Sequence, residues 1–385
     1  FEQRFPSTAE VARDLDVLAA HSRRIRTYAS TEIPSLPQLA AARGIKVTAG
    51  AWLDRRLPNN ERELSALIAA VGANANIDRV MVGNETLLRG DLSPAQLIGY
   101  LDRARAALAA PVSTAEPWHV WIKHPELAAH VDYITLHLLP YWEGVPQARA
   151  VQDVLQRYEE VRRAFPGKPV VIGEVGWPSN GDRFHHAQPS VADQAQFLRH
   201  FFAEAAKRQL DYYVMEAFDQ PWKMQGEGRV GAYWGMFDAH RQAKFELSGP
   251  VTADPAWLWK ASLAFALGVL PGLWFLRRFA RFRAAGQLSF LLLLQGASSV
   301  LVWSLGVPFA FYLDPLDWAM LALLLPAQLA ILGVLLINGF EFTEVIWRPH
   351  WRRSHASRRL TAAAVPWPKV SLHLACANEP PEMVI

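Results

Sequence analysis

Seven short β-rich runs separated by helical patterns narrow the fold of this chain more than any other feature. The runs lie at residues 24–28, 46–52, 79–83, 112–115, 133–137, 169–173 and 212–217. Between them, residues 37–43, 61–71, 94–110, 151–165 and 192–208 carry apolar side chains three and four apart, the spacing of a helix that buries one face. Ser7-Thr8-Ala9-Glu10 reads as a capping box ahead of a first helix reaching about Ala20. Strands alternating with helices form parallel βα units. No glycine-rich phosphate loop follows any early run, which disfavours a doubly wound nucleotide-binding sheet. The expectation is therefore an α/β chain forming a (β/α)8 TIM-type barrel over residues 1–250. Barrel closure takes eight strands, and this chain enters directly on a helix, so the barrel is expected to lack its first strand, cut away ahead of Phe1.

The rest of the chain has a different character. Hydrophobic residues make up 51% of the whole, but charges thin out abruptly after Pro250. Residues 256–276, 288–312 and 318–340 are long apolar runs, each able to cross ~30 Å of hydrocarbon as a helix at about 1.5 Å per residue. They define an expected membrane domain at 251–345, with the lipid bilayer as a partner. The net charge of +3 does not point to nucleic acid, because the arginines gather at 277–283 and 348–359, each directly after an apolar run. The link between the second and third runs carries Asp314 and Asp317 and no basic residue. That asymmetry places the barrel outside the cytoplasm and the tail within it. Cys376 stands alone, which excludes an internal disulfide.

Barrel chemistry sits where strands end, and two strands here end alike. Arg79-Val80-Met81-Val82-Gly83-Asn84-Glu85 and Pro169-Val170-Val171-Ile172-Gly173-Glu174 each run apolar residues into a glycine and then a glutamate. Paired carboxylates on one rim suit double displacement at a glycosidic bond, with one acid for the leaving oxygen and one nucleophile. Glu85 and Glu174 are thus the expected catalytic pair. Glu116, Glu216 and Asp219 recur at other strand ends as candidate sugar contacts. Trp52, Trp118, Trp177 and Trp222 are candidate platforms for the apolar face of a pyranose, while Trp121 and Trp234 read as packing between helix and barrel. Arg26 and Tyr28 share one face of their strand, so Arg26 is expected to keep a nearby carboxylate ionised, and Glu85 to hold a proton. His137 and Tyr141 leave the strand beside the nucleophile strand. His185-His186 has no third residue at metal-ligand spacing, and neither a metal nor a cofactor is expected.

Gly83-Asn84-Glu85 together with Gly173-Glu174-Val175-Gly176-Trp177-Pro178 resembles glycoside hydrolase family 17, over most of residues 7–245. The resemblance implies a (β/α)8 barrel and retaining chemistry on β-1,3-glucan, with β-1,6 linkages as a further option. It makes Glu85 the acid/base, Glu174 the nucleophile, and Asn84 a hydrogen-bonding partner of the sugar 2-hydroxyl. Glu216 to Lys223 is similar to the last-strand segment of bacterial members, which adds Lys223 to the substrate contacts. Leu139 and Gln220 depart from the family pattern at positions that bear on substrate contacts, not on the reacting pair.

Past a basic linker at 346–367, residues 368–385 look like the first strand and turn of a family 2 glycosyltransferase. This order of modules resembles bacterial inner-membrane β-glucan synthases. The implied protein is a multi-pass inner-membrane chain whose periplasmic barrel remodels glucan polysaccharide or oligosaccharide made by a fused glycosyltransferase domain. The competing expectation is a non-catalytic glucan-guiding module and anchor.

Overall fold

The computed structural model describes residues 5–348. It divides into two compact units, residues 1–261 with 304–324 and residues 262–303 with 325–385, of which residues 1–4 and 349–385 are outside the described residues.

The first unit opens with α1 (Thr8–Ala19), where Ser7 and Glu10 cap each other as their spacing implies: the Ser7 N–H donates to Glu10 Oε2 at 2.7 Å and the Glu10 N–H to Ser7 Oγ at 3.3 Å. There follow β1 (Arg24–Arg26), α2 (Leu36–Ala41), β2 (Lys46–Ala51), α3 (Leu57–Ala73), β3 (Ile77–Asn84), α4 (Pro94–Ala107), β4 (Val112–Pro117), α5 (Trp118–Lys123), β5 (Ile134–Leu138), α6 (Gln147–Ala164), β6 (Val170–Val175), α7 (Val191–Arg208), β7 (Asp211–Val214) and the short α8 (Met224–Glu227). The strands form one parallel seven-stranded sheet in sequence order, β1 to β7. This is a nearly closed TIM-type barrel, and among the described residues no strand joins β7 to β1.

Seven strands fall where the apolar runs predict them, with two instructive differences. β7 stops at Val214 although the run continues to Ala217. The Met215 N–H still pairs with Val175 O at 2.9 Å, but the Glu216 N–H turns to Trp234 O, so the chain leaves the sheet to pair with residues 232–237. α5 has only six residues, too few to show a helical period, and it buries Trp121 fully. Two packed layers result. Val47, Val80, Ile134, Ile172 and other outward-facing strand residues meet the helices, while Met81, Ala115, Tyr133, Val171 and Tyr213 fill the barrel interior.

Three long helices follow: α9 (Trp257–Arg278), α10 (Ala284–Ala310) and α11 (Pro315–Trp347). All three are long and apolar enough to cross a membrane, and the shortest has 22 residues. α11 runs past the predicted end at 340, through Glu341 and Glu344, because helical hydrogen bonding continues where hydropathy falls; residues 346–347 are thus helical instead of linker. Within the second unit, Phe275, Phe279, Phe282, Phe290 and Phe340 form an aromatic cluster, and Gln295 Nε2 donates to the Ala264 carbonyl at 3.1 Å. The remaining basic linker and the segment 368–385 lie outside the described residues.

Candidate active site

The carboxyl ends of β3, β5 and β6 converge on one point. β3 reaches it by an unusual path: Gly83 has φ +89° and Glu85 φ +51°, a left-handed backbone that costs a non-glycine residue on the order of 1 kcal/mol or more. The excursion swings the Glu85 side chain over the barrel mouth, leaving it 25% exposed, against 7% for Glu174. Glu174 lies inside β6, which is buried along its whole length. Its neighbour Gly173 has no room for a side chain. A Cβ there would stand 2.4 Å from Thr135 Cγ2 and 3.1 Å from Arg26 Nη1, so the glycine admits the guanidinium that serves the site.

Arg26 connects these groups. Its Nη1 donates to the Gly173 carbonyl at 2.8 Å and to Glu174 Oε1 at 3.3 Å, and its Nη2 donates to Asn84 Oδ1. Tyr28 Oη donates to the same Glu174 oxygen at 3.0 Å. Burial, then the Glu174 charge, pushes the Tyr28 phenol well up, which keeps it a neutral donor. His137, on β5, stands between the glutamates. Nδ1 lies 2.6 Å from Glu85 Oε1, and Nε2 lies 3.0 Å from Arg26 Nη1 and 3.3 Å from Glu174 Oε1. A guanidinium can only donate, so Nε2 accepts and the ring proton sits on Nδ1, directed at Glu85. Burial raises the Glu85 carboxyl, but the His137 hydrogen bond and the positive charges of Arg89 and Arg26 outweigh it, and the group lies below the ordinary glutamate value. This corrects the expectation of a protonated Glu85: without a sugar, His137 keeps it ionised.

Glu85, His137 and Glu174 each offer a ligand-type atom, and these atoms lie within 4.8 Å of one another. Such a trio could hold a cation, yet Arg26 already brings positive charge to within 3.3 Å of two of its members. The geometry fits carboxylate chemistry.

Other expected residues divide into two groups. Glu216 and Lys223 form a buried pair at 2.7 Å beyond β7, and Gln220 Nε2 donates to the same Glu216 oxygen. Burial pushes the Glu216 carboxyl up to about 7 against the pull of Lys223. Glu227, which the sequence reading missed, completes this side; burial raises its carboxyl, and the charges of Glu174 and Glu85 act in the same direction. Trp222 is 50% exposed; Trp142 is 38% exposed, with its ring packed on Tyr141, Phe184 and Trp234. Trp52 is half-buried under the Arg89 guanidinium, 4.3 Å from its ring centroid. Trp118 has one face under Arg157 at 4.0 Å and donates through Nε1 to Glu143.

Four residues expected to touch substrate do not reach the cleft surface. Trp177 has no exposed surface; it packs on Phe197 and donates to Gln188 O, because its side chain points out of the barrel against α7. Tyr141 is 2% exposed, with its hydroxyl on the Asp182 carbonyl. Asp219 is buried, paired with Lys244 Nζ at 2.6 Å and bonded to the Gly235 N–H and Tyr312 Oη. Glu116 is fully buried beneath the turn that carries Glu85, with its oxygens on the Leu87 and Leu88 N–H groups. Trp121 and Trp234 are buried, as their packing reading has it. Arg89 was also missed. It donates to Leu53 O at 2.9 Å and to Asn84 O, and the only signal in the sequence was its position four residues after Glu85.

A parallel barrel with two glutamates converging at the carboxyl ends of its strands defines a glycoside hydrolase. The chain belongs to the BtgE/BtgC glycoside hydrolase domain family, whose model matches residues 2–235. It is similar to a glucan 1,3-β-glucosidase of Arthroderma benhamiae, 27% identical over 258 residues that cover 62% of this chain and 83% of the relative. It is also similar to the crystal structure of a glycoside hydrolase family 17 β-1,3-glucanosyltransferase from Rhizomucor miehei, with TM-score 0.58 and 30% identity over 65% of this chain and 92% of that one. An active-site mutant of the Rhizomucor enzyme in complex with laminaritriose matches with the same TM-score and coverage at 29% identity. The family 17 resemblance drawn from the two glutamate motifs thus holds for the barrel.

Proposed function

We propose that the barrel is a retaining enzyme acting on β-1,3-linked glucan, with transfer to a second sugar favoured over hydrolysis. The observation that carries this reading is the approach of Glu85 and Glu174 oxygens to within 4.8 Å. Retaining enzymes hold their carboxyl groups about 5–5.5 Å apart, whereas inversion needs about 6.5–9.5 Å to admit a water. In the first step Glu174, oriented by Arg26 and Tyr28, attacks the anomeric carbon. The bond to the leaving oxygen breaks as Glu85 delivers a proton to it. Sugar filling the mouth expels water from the exposed edge of Glu85 and raises its carboxyl, which then takes the needed proton from solvent. In the second step Glu85 removes the proton of an incoming hydroxyl, which attacks the anomeric carbon and releases Glu174. The hydroxyl of a sugar whose ring stacks on Trp222 gives transfer; water gives hydrolysis. The substrate class rests on the relatives, and β-1,6 linkages stay within the reading as a product of transfer.

We further propose that α9, α10 and α11 span a bilayer, the bacterial inner membrane, with the barrel periplasmic and the tail cytoplasmic. The arginines at 277–283 follow α9, while the turn before α11 carries Asp314. Within the first unit that turn lies on the barrel: the Tyr312 ring stacks on Tyr233 at 5.0 Å and its hydroxyl donates to Asp219. Two spans separate the barrel from this turn, which returns both to one side. The resemblance of residues 368–385 to a family 2 glycosyltransferase makes the barrel a remodeller of glucan from an attached synthase.

Incubation of the full chain in detergent with laminari-oligosaccharides tests the activity by product mass. Products longer than the substrate are expected, and an inert wild-type chain would leave a binding module. Reporter fusions near residues 282 and 314 should give cytoplasmic and external signals respectively; the opposite pattern would reverse the topology.

A further inference from the structure

From the residues around the β3 exit, we infer that Glu116 is a positioning residue for Glu85, holding the acid/base in place through the backbone of the turn that follows it. The inference rests on the retaining reading above and goes beyond it by assigning a task to a carboxylate that touches no sugar.

Residues 85–90 form a turn of helical type. The Arg89 N–H donates to Glu85 O at 2.8 Å, the Gly90 N–H to Leu87 O at 3.1 Å and the Asp91 N–H to Thr86 O at 3.0 Å. The first N–H groups of such a turn have no acceptor within it. Here they are met from outside, because the Leu87 N–H donates to Glu116 Oε1 at 2.7 Å and the Leu88 N–H to Glu116 Oε2 at 3.2 Å. Glu116 therefore caps the turn from the neighbouring strand β4 with both of its oxygens. The residue before it grips the other side: the Glu85 N–H donates to the Ala115 carbonyl at 2.7 Å. Two consecutive residues of β4 thus hold the backbone on either side of Glu85.

Glu85 needs that grip. Its φ of +51° is a conformation that a glutamate leaves unless neighbouring contacts over-determine it. The same backbone sets the direction of its side chain toward His137 Nδ1, 2.6 Å away. Glu116 has no exposed surface, so its carboxylate is spent on this task and not on substrate. Burying a charged group without exchange partners is costly, and the two N–H groups supply the partners. Burial still dominates and pushes the Glu116 carboxyl up to about 7. Glu174 has no counterpart, since it lies within a strand and its position follows from the sheet ladder.

A positioning role for the acid/base makes a kinetic signature that general destabilisation does not. The proton donor matters in proportion to how poor the leaving group is. Glu116→Gln keeps the shape but turns an NH2 group toward one of the two N–H donors, and Glu116→Asp keeps the charge but withdraws it by one methylene. The full chain in detergent is assayed on laminari-oligosaccharides and on a dinitrophenyl laminaribioside, whose leaving group needs no proton. Glu116→Gln should lower kcat on the oligosaccharide by about 30-fold with KM little changed, and by less than about 3-fold on the aryl substrate, with Glu116→Asp showing a smaller loss of the same selective kind. Equal losses on the two substrates, or no loss on either, would overturn the inference. Wild type and Glu85→Ala are run alongside. A wild type inert on both substrates defeats the retaining reading itself, whereas an active wild type with unselective Glu116 variants defeats only the positioning role.

Discussion

The exits of β3 and β6 put a glutamate each on one rim, and they differ in nearly every other respect. Glu174 stays in its strand, is 7% exposed at the side chain and accepts from Arg26 and Tyr28. Glu85 sits on a strained turn, is 25% exposed and, among the described residues, has one side-chain partner, His137. The difference teaches what each task demands. A nucleophile must be fixed against the anomeric carbon and shielded from water. A proton carrier must exchange with solvent or an acceptor and tolerate a changing proton affinity, which an exposed edge and a shared histidine proton allow.

Replacing the two acids breaks the comparison most severely. Glu174→Ala should lower kcat on the order of 10⁵-fold, and azide should then yield an α-configured adduct; Glu85→Ala should lose about 10²–10⁴-fold on oligosaccharide, with azide giving the β product on good leaving groups. Identical azide products from both variants would erase the distinction between the two exits.

Trp177 tests whether the β6 exit is closed. Because the ring is wholly buried, Trp177→Ala should destabilise the barrel by about 3–5 kcal/mol in chemical denaturation, while KM of the folded fraction stays within about two-fold. A large rise in KM at unchanged stability would restore the ring to the substrate surface.

Arg26→Met removes the donor shared by Glu174, Gly173 and Asn84, and kcat should fall about 10²–10³-fold. Arg26→Lys should not recover it, since one ammonium cannot span three acceptors that the guanidinium fork reaches together. Recovery by lysine would mean that charge alone matters there.

The buried caps of the β3 exit carry a pH dependence. The folded Glu116 carboxyl lies at about 7 against an ordinary 4.5, a raised value, so its contribution is fully present below pH 4.5 and is lost as pH rises through 7. The difference is worth roughly 3 kcal/mol at most. Melting curves between pH 4 and 8 should therefore show a stability that falls less steeply in Glu116→Gln than in wild type, and parallel curves would mean that the carboxyl titrates normally. The smallest effect is expected at Trp222, where removing a half-exposed ring should raise KM for the acceptor about 3–10-fold, as a stacking contact near 1 kcal/mol allows, without shifting stability.

Much of the barrel was legible in the order of residues. Apolar runs such as 169–173 can be satisfied only as strands buried on both faces, and the helices between them show their buried stripes. Charge and hydropathy also separated three long apolar helices from the barrel. The glutamate pair was readable because glycine and acid recur at two strand ends, and no packing detail is needed to see it. The aromatic residues were read less well. Trp177, Tyr141 and Trp222 all follow strand ends, but a tryptophan at a strand end can face the cleft or the helices, and one residue of difference in register decides which.

Alternation of strands and helices, the two acids and the three apolar helices were thus determined by sequence alone, because each depends on local periodicity or on residue type. Tertiary structure decided the rest. It brought Arg26, His137 and Glu227 from distant parts of the chain to the glutamates, buried Trp177 and Tyr141 away from the cleft, and placed Glu116 beneath the Glu85 turn. Those outcomes depend on how the strands are staggered around the barrel and on a left-handed residue at position 85, and neither leaves a periodic trace in the sequence.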